Sequence, residues 1–154
     1  MYHPSIRIEP RGEVKIADLT KMLDILADQE FGTLEEKTAY IEGLLLGTSS
    51  FIPFVVGISS YTIFEDSIKF TNNWIIGSKR FNAVKEYLND GYKLGTCKFI
   101  SELSGKAFSE LNRRIRRRLK DIYVPLFSIE WTGKDTDYKE IRDMIIQQFG
   151  SSIY

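Results

Sequence analysis

Trp74-Ile75-Ile76-Gly77-Ser78-Lys79-Arg80-Phe81-Asn82-Ala83-Val84-Lys85-Glu86-Tyr87-Leu88 runs from an apolar stretch into a helical pattern through one glycine and two cations. Residues 74–76 read as a short strand and residues 78–88 as a helix, closed by Asn89-Asp90-Gly91, a strong turn signal. A helix start carries unpaired backbone N–H groups, and Lys79 and Arg80 add positive charge beside them. Both suit a bound anion. By itself this pattern is weak, because Gly-Ser-Lys-Arg is more often a solvated turn than a site.

Upstream, residues 51–58 form a short run of branched and aromatic residues, as in a buried strand. Residues 61–65 and 67–71 read as a hairpin around Asp66. Before them, residues 34–46 form a helix with Glu35 and Glu36 in its first turn, where acids suit the dipole. Its buried stripe is Tyr40, Ile41, Leu44 and Leu45, and Gly47 is its C-cap. An earlier helix spans residues 17–27, with Leu19, Met22, Leu23 and Leu26 at helical spacing, Asp18 near its cap and a break over 29–33. Residues 6–9 form a short strand closed by Pro10 and Gly12.

Downstream, residues 92–99 are mixed, with room for a short strand. A helix over 106–120 places Phe108, Leu111, Ile115 and Leu119 on one face. Residues 124–131 form a strand whose Pro125 suits an edge or a first position. A last helix over 137–149 turns Ile141, Met144 and Ile145 inward. There is no repeat, low-complexity tract or linker, so the expectation is one α+β domain over residues 1–154.

Composition narrows the chemistry. The chain has 154 residues, of which 43% are hydrophobic, enough for one domain with a core. Lys plus Arg is 21 and Asp plus Glu is 21, so any basic surface must be local. Cys97 is the single cysteine and His3 the single histidine, which excludes an intrachain disulfide and a Cys/His zinc site, and the place of His3 near the N-terminus argues against a Ser-His-Asp triad. No residues are assigned to a metal. The start Met1-Tyr2-His3-Pro4 lacks an apolar signal region, and no long uncharged apolar run exists, so the expected location is cytoplasmic, with no membrane partner.

The order of motifs resembles the N-terminal domain of GmrSD-type restriction enzymes, within the ParB/sulfiredoxin-fold superfamily. The resemblance covers most of residues 17–149. Tyr40-Ile41-Glu42-Gly43-Leu44-Leu45-Leu46-Gly47 running into Ile52-Pro53-Phe54 is similar to that family's helix-to-strand pattern. Ile76-Gly77-Ser78-Lys79-Arg80-Phe81-Asn82-Ala83 is similar to its D-G-Q-Q-R-L-T-A loop and to the G-E-R-R loop of ParB proteins. Leu88-Asn89-Asp90-Gly91-Tyr92-Lys93-Leu94 and Lys98-Phe99-Ile100-Ser101-Glu102-Leu103 resemble its later motifs.

The resemblance implies a small mixed sheet flanked by helices and a nucleotide or phosphate bound at residues 77–80. Gly77 would admit the ligand to the backbone, Ser78 would cap the helix or donate to an oxygen, Arg80 would pair a phosphate, and Lys79 would add a second charge. The implied cofactor is a nucleoside triphosphate, in a setting of DNA processing or phage defence, with a protein partner or a separate effector domain. The polar centres depart from the family. Its aspartate is Ile76, its glutamines are Ser78 and Lys79, an arginine is missing from the 28–34 region, and Gln148 and Gly150 replace its last Arg and Asn. Binding is therefore expected ahead of turnover, with at most weak NTP hydrolysis and no stand-alone nuclease activity.

A second charged feature is Arg113-Arg114-Ile115-Arg116-Arg117-Arg118-Leu119-Lys120, six cations in eight residues. One reading is contact with nucleic-acid phosphates, and a non-catalytic nucleic-acid- or protein-binding module is the alternative function. The other is a solvated face paired with acids such as Glu110 and Asp121, the commoner outcome for a lone charge run. No aromatic interleaves the arginines in sequence, which argues against single-strand stacking. Glu65, Asp66, Asp135 and Asp137 define no catalytic pair, Trp74 and Trp131 read as core, and Cys97 reads as a buried or half-buried small residue.

Overall fold

A computed structural model of the chain describes residues 5–22, 32–58, 60–64, 67–71, 74–132 and 138–150. In chain order these form β1 (Ser5–Lys15), α1 (Ile16–Met22), α2 (Leu34–Leu46), β2 (Phe54–Ile58), β3 (Ser60–Phe64), β4 (Ser67–Thr71), β5 (Trp74–Ile76), α3 (Ser78–Leu88), α4 (Arg113–Lys120), β6 (Tyr123–Thr132) and α5 (Tyr138–Phe149). The sequence expectations at residues 23–31, 65–66 and 133–137 lie outside the described residues, as do the side chains of Trp74, Trp131 and Ile141.

The main sheet has the order β1-β6-β2-β5, and β3 and β4 form a separate antiparallel pair. β6 runs antiparallel to β1 and parallel to β2, while β5 is antiparallel to β2. The chain is thus a mixed α+β protein. Alternation along β2 sends successive side chains to opposite faces. Phe54 and Val56 join a large apolar cluster with residues of α1, α2, α3 and α4. Val55 faces the other way and meets Ile76, Ile129 and Ile145 of α5. Four helices therefore cover one face of the sheet and α5 the other.

Local chemistry explains the best-matched element. Thr33 Oγ1 accepts from the Glu36 backbone N–H at 3.2 Å, and the Glu36 carboxylate accepts from the Thr33 N–H at 3.3 Å. This capping box starts α2. Tyr40, Ile41, Leu44 and Leu45 are buried as their spacing predicts. Gly47, at φ 83°, ends the helix in the left-handed region.

Six expectations are corrected. The helix expected over 106–120 is broken: Phe108–Glu110 is a short 3₁₀ turn, Leu111 is extended, and Asn112 caps α4 by accepting from the Ile115 N–H at 2.9 Å. The cap residue outcompetes helix continuation, yet Phe108, Leu111 and Leu119 still reach the core. β6 is interior, not an edge. Pro125 is tolerated there because it pairs only with Glu13 of β1, and the β2 ladder begins one residue later at Leu126.

β1 passes through Pro10 and Gly12 instead of stopping, since β1 is an edge strand and its register shifts between Pro10 and Glu13. The buried part of the 51–58 run starts only at Phe54, and Phe51 is exposed. Met144 on α5 is also exposed, because only Ile145 and Ile146 of its described side chains meet the sheet.

Residues 92–99 hold no strand. They belong to a long irregular segment, several of whose backbone donors are satisfied by side chains of α2 and of the segment itself. Gly95 N–H donates to Thr38 Oγ1 at 2.9 Å, and Cys97 N–H donates to Ser104 Oγ at 2.9 Å. The Glu42 carboxylate, on a residue only 6% exposed, accepts from the N–H groups of Lys98, Phe99 and Ile100 at 3.3, 2.9 and 2.9 Å. Cys97 is buried, and desolvation, with Glu42 nearby, raises its thiol pKa.

Candidate nucleic-acid interface

The four residues of the first candidate site are adjacent in sequence but face different neighbours. Gly77 is the N-cap of α3 at φ 102°, with no side-chain cap. A Cβ there would overlap the Arg80 guanidinium, so the glycine makes room for that arginine as well as supplying the left-handed turn. Ser78 is buried. Arg80 is 8% exposed. Its Nη2 donates to the Pro53 carbonyl at 2.9 Å and Nη1 to the Ile52 carbonyl at 3.4 Å. Its guanidinium carbon lies 4.3 Å from the centre of the Phe54 ring. Burial lowers the Arg80 pKa while the neighbouring Tyr40 opposes that, and burial pushes the Tyr40 phenol up to about 12.

Arg80 thus ties the start of β2 to α3. Lys79 is half-buried and extends toward α2, with Nζ 3.9 Å from the Glu36 carboxylate. Hydrogen bonds from the Thr33 backbone and hydroxyl, together with Lys79, hold the Glu36 carboxyl below its ordinary range.

The second candidate is built differently. On α4, Arg113, Arg114, Arg117, Arg118 and Lys120 are exposed, and Arg116 is partly buried. The acids proposed as their partners are engaged elsewhere. Asp121 pairs with Lys15 at 3.3 Å, and Glu110 pairs with Lys93 at 3.3 Å and accepts from the Ala107 N–H at 3.1 Å. Among the described residues, no arginine of α4 lies within ion-pair distance of a carboxylate.

The helix also works against itself electrostatically. Its first turn holds no acid but carries Arg113 and Arg114, at the positive end of the dipole. Arg113 with Arg117, Arg114 with Arg118, and Arg116 with Lys120 are like charges at i, i+4, each pair unfavourable by about 0.2–0.5 kcal/mol. Arg118 is the exception in part: its Nη2 donates to the Leu45 carbonyl at the end of α2, at 2.6 Å.

Tertiary structure adds an aromatic that the sequence pattern did not place. An open concavity of about 770 Å³ is lined by Arg113, Arg114, Arg117, Arg118, Asp121 and Ile122. A neighbouring one of about 550 Å³ shares Arg114 and Arg118 and is also lined by Leu46, Phe99, Ile100, Glu102 and Asn112. Phe99 is 76% exposed. The local signal for this arrangement was Glu42, an acid inside the apolar stripe of α2. Its binding of the 98–100 backbone could not be read from spacing.

Among the described residues, no group of three or more His, Cys, Asp or Glu side chains could hold a metal ion. No described helix is long and apolar enough to cross a membrane. Compared with known proteins, the chain matches no family model, no curated protein and no solved structure.

Proposed function

We propose that this domain binds the phosphate backbone of nucleic acid through α4, without catalysis. The observation that carries this reading is the set of exposed arginines on α4 that lack carboxylate partners while Glu110 and Asp121 pair with lysines elsewhere. A neutral chain that concentrates mutually repelling cations on one short helix holds Arg113 and Arg114, at the positive end of the dipole, at some cost to stability. A polyanion supplies the missing counter-charge and releases condensed ions.

Binding should be largely independent of sequence and steeply dependent on salt. With four exposed arginines on phosphates, the logarithm of duplex affinity should fall against the logarithm of salt with a slope of about −3 to −4. Fluorescence anisotropy with labelled DNA between 50 and 200 mM salt measures this. Loss of binding in Arg113→Glu/Arg117→Glu is the expected outcome, and binding that ignores this double reversal would exclude α4 as the contact.

A second reading keeps a nucleotide or free phosphate at residues 77–80. The observation favouring it is the α3 start, which has no side-chain cap and has Lys79 beside it. The elements around it run in the order α2, β2, hairpin, β5, loop, α3. In this reading Lys79 and the backbone amides contact the phosphate, and Arg80 braces the loop from beneath. Titration calorimetry with ATP and GTP on wild type and Lys79→Ala tests it. Equal heats for both proteins would remove Lys79 from the site, and no heat at all would end this reading.

A further inference from the structure

We infer that the groove between the end of α2, residues 98–102 and α4 is a base-stacking site for single-stranded nucleic acid, with Phe99 as the platform. The inference rests on the α4 reading above and deepens it from phosphate binding to a choice of strand form.

Three observations converge. Phe99 is the most exposed large apolar side chain described, at 76%, and it shares one concavity with Arg114 and Arg118. An aromatic face beside cations is the pairing that single strands use: the base stacks while the adjoining phosphate meets an arginine. A duplex keeps its bases stacked on each other and offers none to Phe99.

Second, the platform is held in place. Glu42 accepts from the N–H groups of Lys98, Phe99 and Ile100, so the backbone under the exposed ring is anchored to α2. Ordering cost at binding is thereby reduced. Third, the groove is polarised. Glu102 is its acidic residue, and Arg114 and Arg118 lie on α4. Phosphates are repelled from the first and drawn to the second, which orients a strand across the ring. Leu46 and Ile100 give an apolar floor, and Asn112 adds an amide.

Charge complementarity selects the occupant. An apolar protein helix would suit Phe99, Leu46 and Ile100 but would leave Arg114 without a counter-ion. An acidic peptide would satisfy Arg114 but would not use the ring face. A single strand does both.

The test is anisotropy with a labelled single-stranded oligonucleotide, a duplex of equal length and inorganic polyphosphate, using wild type, Phe99→Ala, Phe99→Leu and Arg113→Glu/Arg117→Glu. The expected result is a loss of about 5- to 100-fold in single-strand affinity for Phe99→Ala and Phe99→Leu. Duplex and polyphosphate affinities should be unchanged in both Phe99 variants and reduced only in the arginine double variant. Circular dichroism of the variants controls for folding. If the Phe99 variants bind single strands like wild type while the arginine reversal weakens all three ligands, the stacking inference is overturned and the phosphate reading stands. If no nucleic acid binds wild type, both fall. Should a poly-glutamate peptide compete as well as the single strand, with the same dependence on Phe99, the groove is an acidic-protein site and the inference fails.

Discussion

Arg80 and the arginines of α4 are the same residue type in two opposite situations. Arg80 is buried, stacked on Phe54 and bonded to the Ile52 and Pro53 carbonyls. On α4, Arg113, Arg114 and Arg117 are exposed beside like charges and form no ion pair with a carboxylate among the described residues. The first arrangement has its interactions inside the fold. The second has them unmet. A cation that contributes to stability is therefore a poor guide to a ligand, and a cation held at some cost to stability is a better one.

The comparison breaks first at Arg80. Arg80→Met should destabilise the protein by about 3 kcal/mol, since it strands part-buried carbonyls and removes a stacked cation. Urea unfolding reads this, and DNA affinity of the molecules that remain folded should not change. A neutral effect on stability would mean that Arg80 is not a brace.

Glu42 tests the platform behind Phe99. Glu42→Ala should cost about 2–3 kcal/mol by leaving three backbone donors without their acceptor. Its pH dependence has a definite sign. Desolvation raises the Glu42 pKa, but the N–H groups of Ile100, Phe99 and Lys98 together outweigh it, and the folded-state value lies below the ordinary one. The stabilisation is therefore complete above the unfolded pKa, about 4.3, and is lost as pH falls through the lower folded value. The urea midpoint of wild type should drop across that acidic window, and Glu42→Gln should flatten the drop. Parallel curves would remove Glu42 from the acid response.

Gly77 gives a smaller effect. Gly77→Ala should cost about 1–2 kcal/mol, because it places a Cβ at φ 102° and against the Arg80 guanidinium. In an Arg80→Met background the steric part should shrink, so a double-mutant cycle separates the turn from the clash.

The smallest effect has the opposite sign. Arg113→Glu should stabilise the fold by about 0.3–1 kcal/mol, by placing an acid at the dipole's positive end and ending the repulsion with Arg117. The same change should weaken DNA binding. A variant that is more stable and binds less would sharpen the contrast with Arg80, and one that is less stable would contradict the account of α4.

Much of the fold was legible locally. The span of α2 follows from its apolar stripe and from Gly47, and β5-loop-α3 follows from the shift of period at Gly77. What failed did so where a distant partner decided the outcome. Pro10 and Pro125 read as stops or edges, yet Pro10 lies on the edge strand beside a register shift, and Pro125 lies one residue before the β2 ladder begins. The 106–120 helix failed at Asn112, whose capping bond outcompeted periodicity, although Thr33 and Asn112 both show that cap residues carry a readable signal.

The sequence by itself determined the mixed α+β class, the α2 and α3 helices, and the cationic character of residues 77–80 and 113–120, because periodicity, turn chemistry and charge are local properties. It could not decide which cations face inward. Only the tertiary structure turned Arg80 into the core, drew Asp121 to Lys15 and Glu110 to Lys93, and brought Phe99 and Arg114 to one concavity. The physical reason is that desolvation, ion pairing and stacking depend on neighbours brought from elsewhere in the chain, and no spacing rule encodes those distances.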